Sequence, residues 1–262
     1  MPPGCTAWAV RFHDALAFLT RLVPPRVGGT GADFAAATCC FAPVGLLLGG
    51  VLTLAAWLAH RATAQAPFDG ALSAALSGWV WLALDIWATR GLHWDGLADL
   101  GDAAGSGASG EGFRNILRDS RLGAFGALHL LLAFSGQWLA VAGHAAAERW
   151  LLLLLAPAWG RAAAVWLAAW TPAHEDSALG RLTCEGTGPR LGRAYLALGA
   201  GMLALPACLG LCPLRQLFLA GFVQFALTRR LHCMALAQGG LSGDFLGACI
   251  QWSQLCFLLC TL

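Results

Sequence analysis

Seven stretches of this chain are apolar over about 20 residues each, and a helix of that length spans a hydrocarbon layer roughly 30 Å thick. They lie near residues 36–58, 72–90, 122–144, 150–170, 195–213, 216–236 and 245–262. In lipid the backbone has no water to bond, so each such stretch must satisfy its own N–H and C=O groups as a helix. The 262 residues are 58% hydrophobic and only 11% charged, with a mean hydropathy of +0.65. That balance argues against a soluble domain. The expected fold is all-α: a polytopic integral membrane bundle of about seven transmembrane helices, forming a single membrane-embedded domain over residues 1–262. No linker, second domain or internal repeat interrupts it.

The first 30 residues do not read as a cleaved signal peptide, because Arg11, Asp14, Arg21 and Arg26 break any apolar core. "WAVRFHDALAFLTRLVP" reads as an amphipathic helix ended by Pro24-Pro25. It either lies on the membrane surface or packs as the first helix of the bundle.

All 16 basic residues are Arg; the chain has no Lys. With seven spans and an inside N-terminus, the outside loops hold Arg61, Arg149 and Arg215, and Arg161 falls within a span. The other Arg residues fall inside. This bias predicts a cytoplasmic N-terminus, with the 91–121, 171–194 and 237–244 loops on the same side. The 10 Cys are scattered, mostly within spans, and read as small buried hydrophobes rather than a zinc or disulfide framework. No motif points to nucleic acid.

Against this apolar background the segment "GLHWDGLADLGD" (91–102) concentrates His93, Asp95, Asp99 and Asp102. Whether the second helix continues past the membrane or restarts at Gly91, the three Asp fall at i, i+4 and i+7, on one face. Nothing basic is spaced to pair them. At a membrane edge such a face needs cations, and oxygen ligands suit Mg²⁺, with Mn²⁺ as the alternative. The chemistry predicted is a metal that grips a phosphate or diphosphate. His93 lies off the Asp face and reads as a ligand, a general base or a polar helix-end residue.

"RNILRDSRLGAFG" (114–126) follows, with Arg114, Arg118, Asp119, Ser120 and Arg121. Arg grips phosphate oxygens in fork geometry. Asp119 could complete a metal shell, and Ser120 could cap the next helix. Carboxylate-held metal beside Arg clamps is the equipment of phosphoryl transfer from a diphosphate. Deeper in the chain, Arg161 and Asp85 fall within spans, where a charge needs a partner. Arg161 reads as a phosphate ligand or as the partner of Asp85. Asp244 in "GGLSGD" (239–244) reads as a helix cap, with metal ligation the alternative.

"GLHWDGLADLGDA", "DSRLGAFG" and "GGLSGDFLGA", in this order, resemble the cobalamin synthase family, the adenosylcobinamide-GDP ribazoletransferases. "FLTRL" (18–22) followed by "FAPVGLLLG" (41–49) is similar to that family's N-terminus, so the resemblance covers essentially the whole chain. It implies a Mg²⁺-dependent transferase of substituted phosphate groups in a bacterial inner (cytoplasmic) membrane, with its active site on the cytoplasmic side. In that reaction the ribose 3′-hydroxyl of α-ribazole, or of its 5′-phosphate, attacks the cobinamide-side phosphorus of adenosylcobinamide-GDP. GMP leaves, and adenosylcobalamin or its 5′-phosphate forms.

The resemblance implies that His93, Asp95, Asp99, Asp102 and Asp119 form the catalytic centre, with the four Asp on the metal. Arg114, Arg118, Ser120, Arg121, Arg161 and Asp244 would contact substrate. His93 is the expected base, with an Asp as the alternative. The expected partners are donor, acceptor and lipid; association with other corrinoid enzymes stays open. One departure lies at "AHEDSALG" (173–180), where His174 and Ser177 stand where the family usually has Arg and Gly.

Two rival classes fit these residues less well. A CDP-alcohol phosphotransferase needs an Asp-Gly-x-x-Ala-Arg run, and "DGLADL" lacks the Arg. A cation-coupled transporter favours paired repeats and carboxylates near the midplane, whereas these cluster at one face.

Overall fold

The computed structural model describes residues 3–63 and 70–262, except the side chains of residues 3–6. The first two residues of the expected N-terminal segment therefore lie outside the described residues.

The described residues are helical almost throughout. α1 (Pro3–Leu19) leads to α2 (Gly31–Ala37), which runs through a short 3-10 turn into α3 (Phe41–Thr63). α4 (Gly70–Thr89), α5 (Leu92–Gly105) and the short α6 (Gly110–Leu117) follow. Next come α7 (Ala124–Ala146), α8 (Trp150–Trp170), α9 (Ala178–Gly186) and α10 (Pro189–Cys208), then α11 (Leu214–Ala237) and α12 (Gly243–Cys260). α1 buries Ala15, Leu16, Ala17 and Leu19 near its C-terminal end and exposes Trp8 and Val10 nearer its start.

α8 is the axis of the bundle. It is buried almost continuously from Leu152 to Ala168, and α3, α10, α11 and α12 pack around it. Small residues permit the closest contacts. A Cβ on Gly45 or Gly49 of α3 would collide with the backbone of α8 at Ala158 and Leu154. In lipid, helices gain little from hiding apolar surface from one another, so close approach through small residues supplies the attraction.

Among the described residues, six segments are long and apolar enough to cross a membrane: Gly31–Thr63, Gly70–Thr89, Ala124–Ala146, Trp150–Trp170, Pro189–Cys208 and Gly243–Cys260. The seventh expected span, 216–236, is helical but is not among them. Arg215, Gln216, Gln224, Arg229, Arg230 and His232 dilute the apolar character of α11.

Its place in the fold is nevertheless that of a full-length helix. Cys212, just before α11, points its thiol at the Thr261 carbonyl, and Arg149 donates to the Thr261 and Leu262 carbonyls at the same end of the bundle. Just after α11, the Gln238 side chain accepts the Gly110 N–H at 2.9 Å, at the opposite end. Its 24 residues, rising about 1.5 Å each, cover that distance.

The bundle therefore has two ends. One gathers the α4–α5 turn, α6, the 171–177 loop and the 238–243 turn, and all the candidate motif loops meet there.

Candidate active site

The α4–α5 reversal fixes where the acidic helix begins. Arg90 and Gly91 both take left-handed φ, at 59° and 68°. The Gly91 N–H bonds the Ile86 carbonyl and the Arg90 N–H the Trp87 carbonyl, the paired closure of a Schellman turn. α5 then starts at Leu92, so the helix restarts after Gly91 rather than continuing from α4.

α5 is wedged between α7 and α12 through its glycines. A Cβ on Gly96 would meet the Asp244 backbone at 3.0 Å, and one on Gly247 would meet the His93 backbone at 3.3 Å. On the other side, Gly101 and Gly105 lie against His129 and Phe125 of α7. This wedge brings Asp244, distant in sequence, onto the acidic face of α5.

Asp95 is exposed, Asp99 is half-buried, and Asp244 is buried further. Burial raises the Asp99 carboxyl to about 7, reinforced by the charges of Asp95, Asp244 and Asp102. None of these four carboxylates forms an ion pair among the described residues. Hard oxygen donors crowded without a counter-charge fit a divalent cation of the Mg²⁺ type by donor chemistry. Among the described residues, however, no three His, Cys, Asp or Glu side chains converge as a ready-made metal cage.

Asp102 has a further task that its sequence position did not disclose. Its Oδ2 accepts the Gly123 N–H at 2.7 Å and its Oδ1 the Gly126 N–H at 2.8 Å. It thereby caps the start of α7 from a neighbouring helix. Ser120 is not that cap: the N-cap residue is Gly123, which has no side chain to contribute. Asp244 is likewise not the cap of α12. That residue is Ser242, whose hydroxyl donates to Asp244 Oδ2 at 3.0 Å.

Asp119 has an ion-pair partner, unlike the four carboxylates above. Arg121 folds back on it, with Nε at 3.0 Å from Oδ1 and Nη2 at 2.7 Å from Oδ2. The guanidinium holds the Asp119 carboxyl down to about 2. Arg121 itself is 86% exposed.

His93 is buried and lines a crevice with Asp95 and Asp244, walled by Phe18, Phe41 and Ile250. Burial, reinforced by the nearby Arg161 charge, lowers its pKa well below the usual value, so the ring stays neutral. Arg161 lies deeper, fully enclosed in α8, with Nη1 donating to the Pro157 carbonyl at 3.0 Å. It faces Asp85 through space, yet no direct ion pair joins them among the described residues. Arg161 lines neither of the two clefts at the motif end.

Those clefts flank the α5–α12 junction. The larger, about 540 Å³, lies between α5 and α7 and is lined by Arg90, Trp94, Asp95, Asp99, Ser120 and Leu122 among others. The second, about 330 Å³, lies between α6, α9 and α12; Arg114, Arg118, His174, Asp176, Gln238 and Asp244 reach it. Its rim is tied together by two strands of contact. His174 N–H donates to the Leu241 carbonyl at 3.0 Å, and Arg118 reaches Asp176 at 3.3 Å. Gly240, at φ 135°, has no room for a Cβ against the Ala173–His174 backbone. Asp176, Gln238 and Ser242 were not anticipated as site residues. The Gly-rich turn after α11 was the one sequence signal for Gln238 and Ser242, and the "AHEDSALG" loop the one for Asp176.

The profile of the family described as cobalamin-5-phosphate synthase (CobS) matches residues 11–262. The chain belongs to that family. A curated relative from Nitratidesulfovibrio vulgaris strain DP4, named adenosylcobinamide-GDP ribazoletransferase, is 41% identical over 253 residues, covering 94% of this chain and 96% of the relative. The protein of the same name from the Hildenborough strain is 43% identical over 259 residues, covering 94% and 96%. One from Thiobacillus denitrificans is 34% identical, covering 94% and 92%. No solved structure matches the chain. Family membership agrees with the resemblance read from the motifs, and the expectation of a transferase with membrane helices stands.

Proposed function

We propose that this chain transfers the cobinamide-phosphate group of adenosylcobinamide-GDP to the ribose 3′-hydroxyl of α-ribazole or its 5′-phosphate. The phosphorus–oxygen bond to GMP breaks as the bond to the ribose oxygen forms, and the hydroxyl proton passes to a base. The observation that carries the reading is the crowding of Asp95, Asp99 and Asp244 at the α5–α12 junction, flanked by two open clefts, in a chain of this family.

Asp95, Asp99 and Asp244 would hold Mg²⁺, with Mn²⁺ as a substitute. Asp102 would add to the negative field from its place as the α7 cap. Asp119 would join only if Arg121 released it. The bound cation would neutralise the diphosphate and stabilise charge on the departing GMP. Arg90 on the rim of the larger cleft supplies a further positive charge. His93, neutral and lining the crevice beside Asp95, would accept the hydroxyl proton, with an Asp as the alternative base.

The reading extends to location and extent. The Arg-rich end of the bundle carries the site, which supports a cytoplasmic active site in the bacterial inner membrane. The core draws residues from α1 through α12, which supports one catalytic domain.

The test is GMP release by detergent-purified protein given adenosylcobinamide-GDP, α-ribazole 5′-phosphate and Mg²⁺. Release should need both substrates and should be lost with EDTA and in Asp99→Asn. Absence of GMP from active, lipid-restored wild type would overturn the assignment.

A further inference from the structure

The two clefts differ in charge, and that difference assigns them. Resting on the reaction proposed above, we propose that the cleft between α6, α9 and α12 is the subsite of the acceptor nucleoside. Arg114 and Arg118 would read its 5′-phosphate, and the donor diphosphate would enter from the α5–α7 cleft.

Asp95 and Asp99 open into the α5–α7 cleft, so a metal-borne diphosphate belongs there. That cleft is also the larger, as the bulkier donor requires. The opposite cleft brings Arg114 and Arg118 together, beside Asp176 and Asp244. Arg114 enters no ion pair among the described residues; Arg118 pairs with Asp176 alone among them, and those two side chains are each 62% exposed. A contact that exposed is weak, and a phosphate dianion with three acceptor oxygens competes with it effectively. His174 adds a ring beside the same rim. The floor is apolar, made by Phe113, Leu117, Leu179 and Phe245, which suits a flat aromatic base.

Geometry supports the same division. In-line displacement at phosphorus places the incoming and leaving oxygens at opposite apices. Asp244 lines the acceptor cleft, while Asp95 and Asp99 line the donor cleft, and Gly96 of α5 packs against the Asp244 backbone where α5 crosses α12. A phosphorus held at that crossing is approached by acceptor and leaving group from two sides.

The experiment uses the full chain in detergent with Arg114→Gln and Arg118→Gln, both at the water-facing end. Isothermal titration with α-ribazole 5′-phosphate alone should show binding to wild type that persists in EDTA. Each variant should weaken it about tenfold or more, the loss of a charge-assisted bond. In the GMP assay, the variants should raise KM for the phosphorylated acceptor and leave KM for the donor and for unphosphorylated α-ribazole unchanged. Unchanged acceptor binding in both variants, failure of wild type to bind it, or a rise confined to donor KM would each overturn the assignment. Acceptor binding that depends on both Arg, in protein that releases no GMP, would uphold the subsite while removing the reaction proposed above.

Discussion

Gly96 on α5 lies so close to Asp244 on α12 that a Cβ at Gly96 would stand 3.0 Å from both the Asp244 Cα and its carbonyl oxygen. Both obstacles are backbone, so neither can swing aside. The acidic cluster exists because two helices approach this closely, and Gly96→Ala should push them apart. The expected cost is about 1–3 kcal/mol of stability, the usual range for overpacking. Activity should fall further than stability alone explains, because Asp244 retreats from Asp99. Gly50→Ala on α3, where nothing lies within 4 Å, serves as the control and should leave both unchanged. Thermal unfolding in detergent and GMP release at saturating Mg²⁺ measure the two effects.

Asp102 should prove to be a folding residue as much as an active-site one. Asp102→Ala removes both acceptors at the start of α7 and should cost about 1.5–3 kcal/mol, with the same loss in Mg²⁺ and in EDTA. Asp102→Asn keeps one acceptor and should cost less. A loss seen only when metal is present would show instead that metal ligation outweighs the cap.

The carboxyl of Asp99, raised to about 7, predicts how metal binding depends on pH. Mg²⁺ must displace its proton, so affinity should weaken about tenfold per unit below pH 7 and level off above it. Titration calorimetry in buffers of different ionisation enthalpy should register close to one proton released at pH 6. The sign reverses for the metal-free protein. A raised carboxyl favours the protonated folded form, so metal-free stability should fall as pH rises from about 4 to about 7. Asp99→Asn should abolish both trends.

Asp119 and Arg121 satisfy one another at the surface, and Asp119→Asn should leave folding intact. Its effect on kcat should be smaller than that of Asp99→Asn. An equal loss, with lower Mg²⁺ affinity, would place Asp119 in the metal shell after all.

The buried pair should behave as a unit. Asp85→Asn or Arg161→Gln alone leaves an uncompensated charge in the apolar core, at an expected cost of about 3 kcal/mol or more. The double variant should lose less than the sum of the two. Strict additivity in urea or thermal unfolding would show that the two charges do not act on each other.

Much of this protein is determined by its sequence alone. Apolar runs near 20 residues leave only a helical bundle, because lipid offers the backbone no other partner. The spacing of Asp95, Asp99 and Asp102 sets a common face as soon as the segment is helical. The sequence left the acidic helix either continuing from α4 or restarting at Gly91, and the left-handed turn at Arg90 and Gly91 decides for the restart. α11 was legible as a helix, although its polar residues keep it below the apolarity of the other spans, and only its attachments at both ends of the bundle show that it runs full length.

The partners of the site residues were decided by tertiary structure. Asp244 reads locally as a cap, and it joins the acidic cluster only because Gly96 and Gly247 let α12 press against α5. Asp102 reads as a ligand, and only the arrival of α7 gives it two N–H groups to hold. Asp119 reads as a ligand as well, and the backward fold of Arg121 gives it an ion-pair partner instead. The division has one physical cause. Periodicity is a property of a segment and is written along it, whereas charge neutralisation and close backbone contact belong to pairs of segments. Their outcome depends on which small residues let two helices meet.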